Sequence, residues 1–275
     1  MTSPAERPCL LVTRPQPQAD EWVARLQALG QPARALPLLV IEPVAAFAPA
    51  VRQAWQALAG LDLVMFVSPN AVLQFMALRP AEAVWPAHTL AAATGPGTVA
   101  ALLAQGVPRA QVVAPAADSA QFDAEALWHQ QLAQRDWSAA QVLIVRGEDG
   151  RDWLADTLRA HGAQVQPLGA YRRVAPDASG ETGRTLTEVS ADPTGCVWLF
   201  SSSEAIGHLL GLMRAAPGAE AGGASAWQAL LQVPVIATHP RIAQTAMAAG
   251  WSMVRHLAPD PDLLVAALAE THWHA

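Results

Sequence analysis

At 275 residues, with 52% hydrophobic and 15% charged side chains, the chain is long enough for two ordinary domains and too apolar to be disordered. Its net charge of −6 gives no basic face for nucleic acid. No apolar run approaches the length of a membrane span, and "MTSPAERPCLLV" holds no long apolar stretch before Arg14, so neither a membrane segment nor a signal peptide is expected and the chain reads as cytoplasmic.

"CLLVTRP" (Cys9–Pro15) reads as a short buried strand, followed by a helix with Trp22, Val23, Leu26 and Leu29 on one stripe and a stop at Gly30. An extended, proline-bearing stretch follows, "LPLLVIEPV" (Leu36–Val44). "VMFVSPNAV" (Val64–Val72) is a strand, a serine and a helix start; Ser68 reads as the N-cap, with Pro69 at the first helical position. "LAAATGPGTVAALLAQGV" (Leu90–Val107) has the same form, with Pro96 behind Thr94, and "QVVA" adds a strand. "VLIVRGE" (Val142–Glu148) leads into a helix carrying Leu154 and Leu158 that stops at Gly162. A second extended stretch is "QPLGAYRRV" (Gln166–Val174). "WLFSSSEAI" (Trp198–Ile206) has Ser201 and Glu204 at capping-box spacing. "AAPGAEAGGASAW" (Ala215–Trp227) reads as a Gly/Ala-rich loop insertion. "VIATHPRIAQTAMAAGW" (Val235–Trp251), with Pro240 behind Thr238, and the strand-like "MVRHL" complete the series.

These modules form two sets. Arg14 and Gly30 stand at the same offset from Arg146 and Gly162. Ser68 maps onto Ser202, and Thr94, Gly106 and Pro115 map at one offset onto Thr238, Gly250 and Pro259. The chain therefore holds two copies of one α/β domain. Its strands are continuous apolar runs rather than alternating ones, as expected of parallel strands covered on both faces. Each copy is expected to be a flavodoxin-like, doubly wound parallel sheet. Two chain paths remain open. The cut falls near residue 137, or the chain crosses to a second domain through 36–44 and returns through 166–174.

The chemistry-bearing patterns are sparse. "TGPGT" lacks the third glycine of a dinucleotide loop, and no phosphate-binding GxxxxGK[ST] occurs. "RGEDGRD" lacks calcium-loop spacing and reads as a solvated loop. The terminal histidines His272 and His274 read as a frayed end, and Cys9 and Cys196 as two reduced, small hydrophobes. What does recur is a helix N-terminus after a parallel strand, which offers N–H groups and partial positive charge to an anion. Arg14 and Arg146 follow strands at the same edge, where a guanidinium can grip a carboxylate.

"VTRP", "FVSPNAV", "ATGPGT", "VLIVRGEDGRDWLADTLRAHGAQV", "YRR", "FSSSEAI" and "ATHP", in that order, resemble the uroporphyrinogen-III synthase family over nearly the whole chain. The resemblance implies two α/β lobes joined by a two-stranded connector, with the ligand cleft between them. It favours the crossed path: lobe 1 from 1–38 and 174–275, lobe 2 from 43–167, paired connectors at 36–44 and 166–174. It implies closure of the linear tetrapyrrole hydroxymethylbilane to uroporphyrinogen III, with loss of water and inversion of ring D through a spiro intermediate. No cofactor and no metal are implied. Expected partners are the polyanionic substrate and the preceding hydroxymethylbilane-forming enzyme, and the chain is expected to be a monomer. Substrate would be held by Arg14, Ser68, Asn70, Thr94, Gly95, Arg146, Gly147, Ser202, Ser203 and Thr238. The resemblance also implies a cleft-facing tyrosine that helps the hydroxyl leave, and Tyr171 is the chain's one tyrosine. From another class, a two-lobed cytoplasmic binding or regulatory protein for a small anion fits the same residues; turnover of hydroxymethylbilane separates the two.

Overall fold

The computed structural model describes residues 7–119, 121–149, 152–215 and 229–270. The Gly/Ala-rich insertion from residue 216 onward and the terminal histidines lie outside them. The chain divides into two compact units, one holding the residues up to Val40 and those from Val174, the other Ile41–Arg173.

The first unit is built on β1 (Cys9–Val12), β2 (Ala33–Ala35), β9 (Cys196–Phe200), β10 (Val235–Ala237) and β11 (Val254–His256). Their spatial order is β11-β10-β9-β1-β2, every pair parallel. The six-stranded sheet of the second unit is made of β3 (Val40–Glu42), β4 (Leu63–Phe66), β5 (Leu90–Ala93), β6 (Val112–Val113), β7 (Gln141–Gly147) and β8 (Gln164–Val174), in the order β3-β8-β7-β4-β5-β6, with Val40 and Val174 at the division between the units. The run from β8 to β6 is parallel throughout.

Both orders are one pattern. Taking β1, β2, β9, β10 and β11 as first to fifth, unit 1 reads 2-1-3-4-5 across the sheet, the flavodoxin order. Unit 2 reads the same when β7 and β8 are first and second and β4, β5 and β6 are third to fifth; β3 is added at its edge. The sequence repeat is explained by this correspondence: β1 matches β7, β4 matches β9, β5 matches β10 and β6 matches β11.

Each sheet carries apolar residues on both faces. In unit 1, Leu11, Trp198, Phe200 and Val235 lie in one cluster and Leu10, Val12, Val197, Leu199 and Ile236 in another. In unit 2, Val64, Phe66 and Val145 face Trp55 and Phe75, while Leu63, Met65 and Ile144 face Leu127, Trp128 and Leu158. Burial of each such side chain stabilises by about 1.5–3 kcal/mol, which makes unbroken apolar strands the natural solution for a sheet covered twice. The helix stops at Gly30 and Gly162 have φ of +73° and +97°, a backbone region that side-chain-bearing residues disfavour.

Among the described residues, no helix is long and apolar enough to cross a membrane.

Candidate functional site

In a doubly wound sheet, successive connections wind to opposite sides of one point and leave a crevice at the carboxyl ends of the two strands flanking it. Unit 1 has this switch between β1 and β9, and unit 2 has it between β7 and β4. The residues that leave these strands are Thr13 and Arg14, Ser201 and Ser202, Gly147, and Val67 and Ser68.

At the unit 1 edge, the Thr13 hydroxyl donates to the Leu199 carbonyl at 2.8 Å and ties the strand ends together. Arg14 comes next. Its guanidinium lies 4.4 Å from the centroid of the Trp22 ring, whose other neighbour is Arg25 at 6.0 Å. The Arg14 Nε is buried without a hydrogen-bond partner. No carboxylate pairs with Arg14 among the described residues. Burial, and then the charge of Arg25, lower its guanidinium to about 10, so it remains cationic at neutral pH. Ser202 caps the helix Ser203–Ala215, its Oγ accepting from the Glu204 amide at 3.1 Å. The cap is thus Ser202 rather than the expected Ser201–Glu204 box, because the helix starts one residue later than that spacing assumed. Ser203 receives a hydrogen bond from Thr245 at 3.0 Å, which joins this helix to Pro240–Ala248. The Thr238 amide donates to the Phe200 carbonyl, and the helix behind it is capped by His239, whose Nδ1 accepts from the Arg241 amide.

At the unit 2 edge, Ser68 is extended and accepts from the Ala71 amide, so it caps Pro69–Met76 as its sequence predicts. Asn70 is buried in the first turn. Thr94 donates to the Val67 carbonyl at 3.3 Å, tying β5 to β4, and Gly95 stands as the N-cap of Pro96–Ala104 without a side-chain cap. A Cβ on Gly95 would come 3.1 Å from Phe122. Arg146 is bound to Asp152 at 2.6 Å. Arg172 holds Glu148 through two bonds of 2.6 and 3.1 Å, and Arg173 donates to the Asp149 carbonyl at 2.7 Å. The bond from Arg172 keeps the exposed Glu148 carboxyl below its ordinary range.

Tyr171 is only 2% exposed, and its ring packs in the unit 2 core. Its hydroxyl shares a 3.0 Å hydrogen bond with Ser68 Oγ. Gly147 makes this placement possible, since a Cβ there would lie 3.1 Å from the Tyr171 ring. The phenol therefore reaches the switch point from inside, behind the half-buried Ser68. The residues that sequence reasoning missed are Trp22 and Arg25, read as part of a helix stripe or not at all, and the acids Glu148 and Asp152. The acidic "GEDGRD" between two arginine-bearing strands was the available signal for the latter.

The uroporphyrinogen-III synthase HemD family model matches residues 20–264. Uroporphyrinogen-III synthase of Escherichia coli K12 is 32% identical over 167 residues, 60% of this chain and 65% of that protein. The Salmonella typhimurium enzyme is 34% identical over 174 residues, 62% of this chain and 67% of that protein. The chain thus spans about two thirds of the length of these relatives, slightly under it for the first. A crystal structure of a mutant uroporphyrinogen III synthase from the extremely thermophilic bacterium Thermus thermophilus shares the fold, with a TM-score of 0.55 at 18% identity over 95% of this chain and 97% of that one. With its family model covering most of the sequence and the repeated switch points in place, this chain belongs to the uroporphyrinogen-III synthase family.

Proposed function

We propose that the protein closes hydroxymethylbilane to uroporphyrinogen III, with loss of water and inversion of ring D. The observation that carries the reading is Arg14: a buried, unpaired Nε on a guanidinium at a sheet switch point is a poor structural element and a good receptor for a carboxylate. The substrate carries eight carboxylates, and the edge of each unit, taken by itself, offers polar groups to such a ligand. Ser202, Ser203 and Thr238 orient the unit 1 edge. Ser68, Asn70, Thr94, Gly95, Arg146 and Gly147 form that of unit 2, where a substrate carboxylate exchanges with Asp152 on Arg146.

In this account the Ser68–Tyr171 hydroxyl pair supplies the proton-donating hydrogen bond at the departing oxygen. Ser68 makes the contact, and Tyr171 polarises Ser68 from behind. A hydrogen bond suffices without full proton transfer, because the electron-rich pyrrole expels hydroxide to leave an azafulvenium cation. Attack by the substituted carbon of ring D gives the spiro intermediate, and fragmentation with reclosure inverts the ring. The uninverted macrocycle forms unaided, so the protein's task is to fix the geometry of attack. We take the working form to be a monomer, with the preceding hydroxymethylbilane-forming enzyme as a partner for handing over a labile substrate.

Mixing the protein with freshly generated hydroxymethylbilane and separating the oxidised products by isomer tests this reading. The expected product is the type III isomer; type I alone, at the spontaneous rate, overturns it and leaves an anion-binding protein.

A further inference from the structure

The chain has two cysteines, far apart in sequence. The fold makes them neighbours: Cys9 on β1 and Cys196 on β9 are register partners on adjacent parallel strands. Cys9 alternates with Leu11 and Cys196 with Trp198, and Leu11 and Trp198 share one core cluster, so both thiols project to the same face of the sheet. Both are free and only half-buried. They sit at the first residues of their strands, at the end opposite Arg14 and Ser202.

We propose that Cys9 and Cys196 form a two-thiol site for a soft, thiophilic centre of the trivalent-arsenical class. Adjacent strands lie about 4.7–4.9 Å apart, within the Cα separation that a bridge between two sulfurs spans. β1 is hydrogen-bonded between β2 and β9, and β9 between β1 and β10, so the two thiols are held together before any ligand arrives. Burial raises both thiols above their ordinary range, and for Cys196 the neighbouring Cys9 and Asp192 add to this; Arg34 opposes the rise at both. The pair is accordingly protonated at neutral pH and slow towards thiolate-dependent oxidation. A neutral arsonous acid needs no thiolate. Two S–H and two As–O bonds break, two S–As and two O–H bonds form, two waters leave, and no atom changes oxidation state.

The test uses the full-length protein and phenylarsine oxide. Expected is one adduct per chain by intact mass, loss of both titratable thiols, reversal by a dithiol but not by excess monothiol, and a raised unfolding midpoint from tying β1 to β9. Cys9→Ser and Cys196→Ser should each lose monothiol resistance, weakening binding about 100-fold as a chelate becomes a single bond; Cys9→Ala and Cys196→Ala provide the same comparison if a serine variant misfolds. Two thiols still titratable after treatment, or single variants that bind as the parent does, overturn the proposal. Because the readouts are mass, thiol count and unfolding, they stand apart from activity on tetrapyrroles.

Discussion

In the unit built on β1 and β9, the arginine leaving the first strand lies on an indole and has a buried nitrogen without a partner. In the unit built on β7 and β4, the equivalent Arg146 is already bound to Asp152, and the next residue is a glycine that admits Tyr171. The strand orders are the same, so the difference lies in what each copy placed on the loop after its first strand. One copy keeps a guanidinium with an unpartnered nitrogen. The other neutralised its charge and moved a phenol beneath its helix cap. The two frames are alike, and under the proposed function a few loop residues give them different work, holding in unit 1 and reaction in unit 2.

The sharpest break of that comparison is at the hydroxyl pair. Tyr171→Phe should lower kcat ten- to a thousandfold, on the order of 1.4–4 kcal/mol, with the fold retained. Ser68→Ala should do the same, and the double variant should be little worse than either single one, since the two hydroxyls act as one unit. Additive losses would separate them. Gly147→Ala follows in size. Its Cβ would press on a ring packed in the core, so unit 2 should lose about 1–3 kcal/mol by chemical denaturation. Unchanged stability would mean that the ring moves freely and that its position is not enforced.

Arg14→Gln should weaken binding of the polycarboxylate product about tenfold or more by calorimetry, the size of a charge-assisted hydrogen bond. It should change the stability of the free protein little, because the lost guanidinium–indole contact offsets the relief of a half-buried charge with an unpartnered Nε. Arg146→Gln should cost less, as substrate must first displace Asp152. Equal losses at both sites would erase the contrast between the edges. The smallest effect is in proton linkage. Burial holds Arg14 at about 10 in the free protein, and a bound carboxylate favours its charged form and raises it. Near pH 10, binding should therefore take up a fraction of a proton, and affinity should fall as pH rises through that value. Calorimetry in two buffers of different ionisation enthalpy reads this directly; Arg14→Gln should abolish it.

The strands, the helix stops at Gly30 and Gly162 and the Ser68 cap were legible because they rest on local rules: apolar runs, positive φ, a hydroxyl one residue before a proline. The repeat was legible as well, because equivalent elements kept their turn residues. Three features were not. The one-residue shift of the cap from Ser201 to Ser202 depends on where the helix begins. The burial of Tyr171 depends on the missing Cβ of Gly147, a contact between adjacent strands that no spacing encodes. The pairing of Cys9 with Cys196 is a matter of register between strands far apart in sequence. In each case the deciding contact is tertiary, and the residues concerned look ordinary in sequence.

Steady-state kinetics of Arg14→Gln and Tyr171→Phe, measured side by side on hydroxymethylbilane with isomer analysis, test the division of work most directly. The account predicts a raised KM at nearly unchanged kcat for Arg14→Gln and a lowered kcat at nearly unchanged KM for Tyr171→Phe, each still giving the type III isomer. If both variants move the same parameter, or if Tyr171→Phe turns over like the parent, the assignment of holding to one edge and reaction to the other is wrong.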